Sequence, residues 1–298
     1  MKLKIFFTIL LFPALLSGLS VKTKSSIADD YYILGNQYFE MEDYAKAVIY
    51  YQKALENNKN LKDVNINLIL AYQKSNKYAE AEKVIVAEYK ETQNEYNQKL
   101  LLLLGNNYFY QSKFDIAAKV YEAYFKSYPS DVNGIFNLAL SYYKLGDEKN
   151  FLFYLNEGYK INKTYAPILF NLGDYYYNKK DYKSCLIYYK ELIDIDKNNP
   201  DVFAKLGEIL YLTGEYELAK EQYVKSIELN NADSSYYLAL AKIYAKGYND
   251  KKMTFENIEK ALINGFTDLS YLQAQEEFVI LEEFSDYKEL LKKYKLIK

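Results

Sequence analysis

The chain has no histidine, no tryptophan and no arginine, and only one cysteine and four prolines in 298 residues. Each absence excludes something. Without histidine, the usual base of a serine or cysteine mechanism and a common metal ligand are both missing. Without arginine, no guanidinium fork reads a phosphate, a carboxylate or a guanine through two parallel hydrogen bonds. All positive charge is lysine, and the formal net charge of -2 supplies no basic field for nucleic acid. Cys185, being alone, cannot close an internal disulfide, so stability must come from packing. These absences lead us to expect no enzyme, no cofactor, no metal, no nucleic-acid partner and no small-molecule substrate.

What is present is an ordinary soluble composition, half apolar and a quarter charged, with 36 tyrosines. At the N-terminus, Lys2 and Lys4 precede an apolar run from Ile5 to Leu16, interrupted by Pro13 and followed by Ser17, Gly18 and Ser20. This is the pattern of a secretory signal peptide over residues 1–20, with Gly18-Leu19-Ser20 before the cut. No cysteine follows it, which excludes a lipoprotein. The expectation is export to the periplasm or cell envelope. The alternative is a retained leader, the one route to membrane contact, anchoring a cytoplasmic or membrane-tethered adaptor. A polar linker, 21–27, comes next.

From Ala28 to Leu61 two amphipathic helices are joined by an acidic turn at Glu42-Asp43, and neither can bury its apolar side alone. That predicts copies, and the chain contains them. Leu34-Gly35 recurs as Leu68-Ile69, Leu104-Gly105, Leu138-Ala139, Leu172-Gly173, Leu206-Gly207 and Leu240-Ala241. The spacing is 34 residues with one two-residue insertion, giving copies near 28–61, 62–97, 98–131, 132–165, 166–199, 200–233 and 234–265.

The first copy carries Tyr31, Leu34, Gly35, Tyr38, Ala47, Tyr51 and Ala54, and the third, fifth and sixth follow closely. With these residues at this period the chain resembles the tetratricopeptide repeat family. The resemblance implies an all-α fold, an α-solenoid in which about seven helix-turn-helix units form a right-handed superhelix over 28–265. The different, more charged stretch 266–298 reads as C-terminal capping helices over Leu272 to Phe278 and Phe284 to Tyr294, covering the last apolar face. Within a copy, Gly or Ala at the eighth position and Ala at the twentieth let two helices approach, while tyrosines fill the remaining space. Cys185, at a twentieth position, reads as a small buried residue. Copies two and four depart from the pattern with Ile69, Glu88 and Phe151, and Phe151 predicts a wider helix pair. The turn of copy seven is lengthened from Gly247 to Met253.

Several apparent motifs for chemistry have simpler explanations. Ser141-Tyr142-Tyr143-Lys144 spells S-x-x-K but falls inside a helix. Asp194, Asp196 and Asn198 open like a calcium loop yet lack its glycine and its final glutamate. The pairs Glu276-Glu277 and Glu282-Glu283 read as solvated helix residues.

By resemblance, positions 2, 5, 9, 12 and 13 of each first helix face a concave groove. They include Tyr32, Asn36, Phe39, Asn106, Phe109, Tyr110, Phe136, Tyr143, Phe170, Asp174, Tyr177 and Tyr211. This aromatic lane implies a protein or peptide partner, held as an extended segment or a helix. Some family members grip a carboxylate terminus with Lys and Asn residues. Asn36, Asn67 and Lys99 match that clamp, but Tyr32 and Leu103 replace two of its cations. The sequence therefore reads as a non-catalytic scaffold, exported and serving envelope assembly or secretion, with a glycan- or peptidoglycan-associated protein as a further alternative.

Overall fold

The computed structural model describes residues 23–90 and 94–297, so the leader over 1–20 lies outside the described residues. Seven helix pairs follow one another: α1 (Lys24–Glu40) and α2 (Tyr44–Asn57); α3 (Lys62–Lys74) and α4 (Tyr78–Glu88); α5 (Glu95–Tyr110) and α6 (Phe114–Ser127); α7 (Val132–Lys144) and α8 (Glu148–Ile161); α9 (Ala166–Asn178) and α10 (Tyr182–Ile195); α11 (Pro200–Leu212) and α12 (Tyr216–Leu229); α13 (Ser234–Ile243) and α14 (Lys251–Ile263). A closing segment holds α15 (Leu269–Ala274), a 3-10 stretch (Glu276–Glu283) and α16 (Ser285–Lys293). Among the described residues there is no strand. None of these helices is long and apolar enough to cross a membrane.

The turn inside the first six pairs has one cause. The fifteenth residue of the copy adopts left-handed backbone, at Glu42, Asn76, Ser112 and Lys180 (φ 59°) and at Gly146 (φ 74°) and Gly214 (φ 83°). The next residue then donates its N–H back to the carbonyl at the eleventh position, as Asp43 does to Tyr38 and Glu215 to Leu210. Aspartate there also caps the second helix: the carboxylates of Asp43, Asp147 and Asp181 accept from the N–H groups of Lys46, Asn150 and Ser184. The stretch read as a linker, 21–27, is helical from Lys24, because the Thr23 hydroxyl accepts from the Ser26 N–H and starts α1 one turn early. In copy seven, a π-helical turn (Tyr244–Tyr248) follows α13, and Asp250 caps α14.

Two compact units divide between Val120 and Tyr121, inside α6. In the first, Gly35 sits under the Tyr51 ring, where a Cβ would come within 2.5 Å of ring carbons. Copy two has Ile69 and Ile85 at the equivalent places, both fully buried, so two branched side chains replace the glycine and the ring. In the second unit, Gly173 and Gly207 lie under Tyr189 and Tyr223 in the same way. Copy four moves its bulk instead: Phe151 fills the twentieth position, Leu155 replaces the ring at the twenty-fourth, and both are buried with Ala139.

The second unit ends in a cap. Leu272, Phe278, Leu281, Tyr287 and Leu291 pack on Leu238, Ala241, Ile258, Ala261 and Leu262, covering the apolar face of the last pair. The second helix read from the sequence, Phe284 to Tyr294, is α16, whereas the first, Leu272 to Phe278, is not a single helix. Asp268 caps α15 and starts it at Leu269, and the chain from Glu276 tightens into 3-10 geometry.

Candidate partner-binding surface

In the first unit, the polar positions expected in a groove are tied to each other. The Asn67 amide donates to Asn36 Oδ1 at 3.0 Å and to the Tyr32 hydroxyl at 3.1 Å, and the Tyr51 hydroxyl donates to Asn36 Oδ1 at 2.9 Å. Burial pushes the Tyr51 hydroxyl up to about 12, so it remains a donor. Lys99 pairs with Glu95 at 2.9 Å. The three residues matching a carboxylate clamp are therefore engaged within the chain. Phe39 and Phe109 pack edge-on against Tyr44 and Phe114, each at 5.2 Å, while Tyr110 stands out beside Phe109, 57% exposed with one side towards the Tyr78 ring. Asn106 is half-buried on the same helix as Phe109 and Tyr110.

In the second unit, Phe136 packs edge-on against Tyr165, the residue just before α9, and Asp174 accepts the Tyr189 hydroxyl at 2.8 Å. Tyr177 donates to Glu208 at 2.7 Å, and the Lys205 ammonium lies 3.6 Å from its ring centre. Tyr211 packs on Tyr216 and donates to the Glu277 carboxylate. Tyr143 (59% exposed) and Phe170 (47%) keep open faces, each resting one side on a ring of its own pair, Phe151 and Tyr189. The lane read from the sequence thus contains two kinds of ring. Position 12 packs against position 17 in four copies and is structural, with Tyr177 and Tyr211 further tied down. Tyr110, Tyr143 and Phe170 present surface.

Glu277 corrects the sequence reading of a solvated carboxylate. Its side chain is 10% exposed, with the Lys246 and Lys242 ammonium groups at 3.9 and 4.0 Å. Burial pushes its carboxyl up, but the Tyr211 hydroxyl and the two lysines outweigh this and hold it below its ordinary value. The closing segment folds back onto α11, a contact with no signal in local sequence. Tyr271 of that segment also borders a half-open cavity of about 410 Å³ lined by residues including Asp201, Glu208, Tyr211, Tyr223 and Tyr236. Of these, only Tyr211 was expected. Reading positions 2 and 9 in the sixth copy would have added Asp201 and Glu208.

The apparent chemical motifs have structural explanations. The Ser141 hydroxyl is buried and donates to the Asn137 carbonyl, one turn back, at 2.9 Å. Asp196 ends α10 and accepts from the Asn199 amide, and the Asn199 side chain caps α11. The Cys185 thiol is fully buried, donates to the Gly173 carbonyl, and is pushed up to about 12 by burial, far from a reactive thiolate.

Family models described as tetratricopeptide repeat match residues 28–61, 102–167, 166–199 and 200–233. They pass over copies two and seven, though both fold as helix pairs, and they match copy four despite its Phe151. A search of curated proteins finds no match. Among solved structures, the C-terminal part of a repeat-containing protein from Cytophaga hutchinsonii is 16% identical, with 87% of this chain and 99% of that one covered at a TM-score of 0.60. A repeat protein from Parabacteroides merdae is 14% identical over 90% of this chain and 98% of its own, at 0.52. The MamA protein is 20% identical over 60% and 97%, at 0.52. At these identities the likeness is one of fold. The chain belongs to the tetratricopeptide repeat family, an all-α solenoid fold used as a scaffold for protein–protein interaction.

Proposed function

We propose that this tetratricopeptide repeat protein is an exported, non-catalytic scaffold that holds a segment of a partner protein against the open aromatic rings of its first helices. The observation that carries this reading is the exposure of Tyr143 and Phe170 on α7 and α9, where other aromatic side chains of the lane are packed or hydrogen-bonded away. Large rings held partly by their neighbours offer contact area at small entropic cost, as binding anchors do. Tyr110 has the same character on α5. An extended peptide or a partner helix is the ligand that suits such anchors.

The test is capture from the native compartment by crosslinking and pull-down. Y143A and F170A are expected to reduce capture while leaving helicity unchanged, and undiminished capture would end this reading. Export rests on the sequence of residues 1–20, and envelope assembly or secretion is the role that fits an exported scaffold. Fractionation with N-terminal sequencing is expected to find a mature chain beginning at Val21, whereas a chain retaining Met1 in the membrane fraction would replace export with tethering.

A further inference from the structure

In the first and fifth copies, the tyrosine at position 24 has its hydroxyl satisfied by the residue at position 9. Tyr51 donates to Asn36 at 2.9 Å, and Tyr189 to Asp174 at 2.8 Å. The sixth copy breaks this arrangement. Its position 9 is Glu208, one methylene longer than aspartate. The two carboxylate oxygens are taken by the Tyr177 hydroxyl at 2.7 Å, from the preceding pair, and the Lys205 ammonium at 3.0 Å. Tyr223 still lies over Gly207 and is only 8% exposed, but its hydroxyl has no hydrogen-bond partner among the described residues. The hydroxyl opens onto a cavity rather than into closed packing, where a ligand acceptor can take its proton. Burial and the nearby Glu208 carboxylate keep it protonated, so it has a proton to donate.

That hydroxyl borders the 410 Å³ cavity between α11, α13 and Tyr271 of the closing segment. The other groups there define what can enter. Lys205 is paired with Glu208, and Lys242 is held by Gln275 at 3.0 Å and faces Glu277 at 4.0 Å. Asp201 accepts the Tyr236 hydroxyl at 2.6 Å on one oxygen, and Asp233 caps α13 through one of its own. Each keeps acceptor capacity. An anion would enter among three carboxylates, whereas an ammonium would offer Tyr223 no acceptor. An alcohol brings one donor to two carboxylates.

We propose that this cavity receives a neutral carboxamide, the side chain of an asparagine or glutamine in the partner segment. Its carbonyl oxygen accepts from Tyr223, its amide protons go to the carboxylates of Asp201 and Asp233, and its methylene stem lies against Tyr211 and Tyr271. The assignment rests on the reading that a partner lies along the first helices, and it adds which residue type that partner presents at the sixth copy.

The test uses the full chain with carbon-13-labelled tyrosine rings and four probes of one stem: butyramide, butyrate, butylammonium and butanol. The Tyr223 resonance is identified by its loss in Y223F. Butyramide is expected to shift it saturably and to bind at least about tenfold more tightly than the other three. Y223F is expected to weaken butyramide about tenfold, read on Tyr236 and Tyr271, as loss of one hydrogen bond requires. No saturable shift, equal binding of another probe, or unchanged affinity in Y223F would overturn the proposal. Thermal melts check its premise: Y189F lowers the Tm and Y223F does not, and an equal drop in both would mean that the Tyr223 hydroxyl has a partner. Failure here with capture still lost in Y143A and F170A leaves the scaffold reading standing. Butyramide binding with capture intact in those variants rejects the scaffold reading instead.

Discussion

The Tyr211 hydroxyl donates to the Glu277 carboxylate across 66 residues of sequence, fastening the closing segment to the sixth helix pair. The Lys242 and Lys246 ammonium groups stand within 4.0 Å of the same carboxylate. The closing segment is therefore attached by a charged hydrogen bond as well as by its apolar cover.

This attachment gives a pH dependence with a definite sign. The folded carboxyl of Glu277 lies below the ordinary 4.5, so its stabilisation is fully present above that value and is lost as pH falls through the folded value. E277Q is expected to lower stability at neutral pH by roughly 1–3 kcal/mol, the worth of a buried hydrogen bond to a charged group. It should also flatten the acid limb of the stability curve. A wild-type and E277Q pair of pH–stability curves that run parallel would contradict the attachment.

Close approach inside the pairs sets a second expectation. A methyl group at Gly173 would come within 2.6 Å of the Tyr189 ring. G173A should therefore cost roughly 1–3 kcal/mol through overpacking, measured by denaturant unfolding. Equal stability would show that the ring moves freely.

The turn residues respond in the opposite direction. Lys180 holds φ 59° where Gly214 serves the sixth copy, in open space. K180G should stabilise by about 1 kcal/mol and G214A destabilise by a similar amount, because side chains in left-handed backbone meet their own carbonyl. Melting temperatures of the two variants decide it.

Phe151 is buried at 5% exposure against Tyr143 and Tyr175. F151A, although it restores the family's usual residue, should lose roughly 3–5 kcal/mol, because Leu155 does not fill the space that a tyrosine fills elsewhere. A higher Tm would contradict this.

The helix pairs were legible because a 34-residue period repeats one local solution: a small residue under a ring, and a turn with an aspartate cap. Positions such as Gly35 and Tyr51 state their partner by their place in the copy. What the period could not show was which rings are consumed. Tyr177 looks like Tyr143 in sequence, yet it is held by Glu208 and Lys205, and only the relation between neighbouring copies reveals that. Glu277 was misread for a similar reason, since its partner lies 66 residues away with no periodic relation to it.

We propose that the open rings of the first helices, and not the surface at large, meet the partner. Site-specific photo-crosslinking in living cells tests it most directly, with the photoreactive side chain placed in turn at Tyr143, at Phe170 and at Phe153, which is 53% exposed on α8, a second helix. One partner protein is expected to crosslink from positions 143 and 170 and not from 153. The same partner crosslinking from 153 alone, or equally from all three, would contradict it.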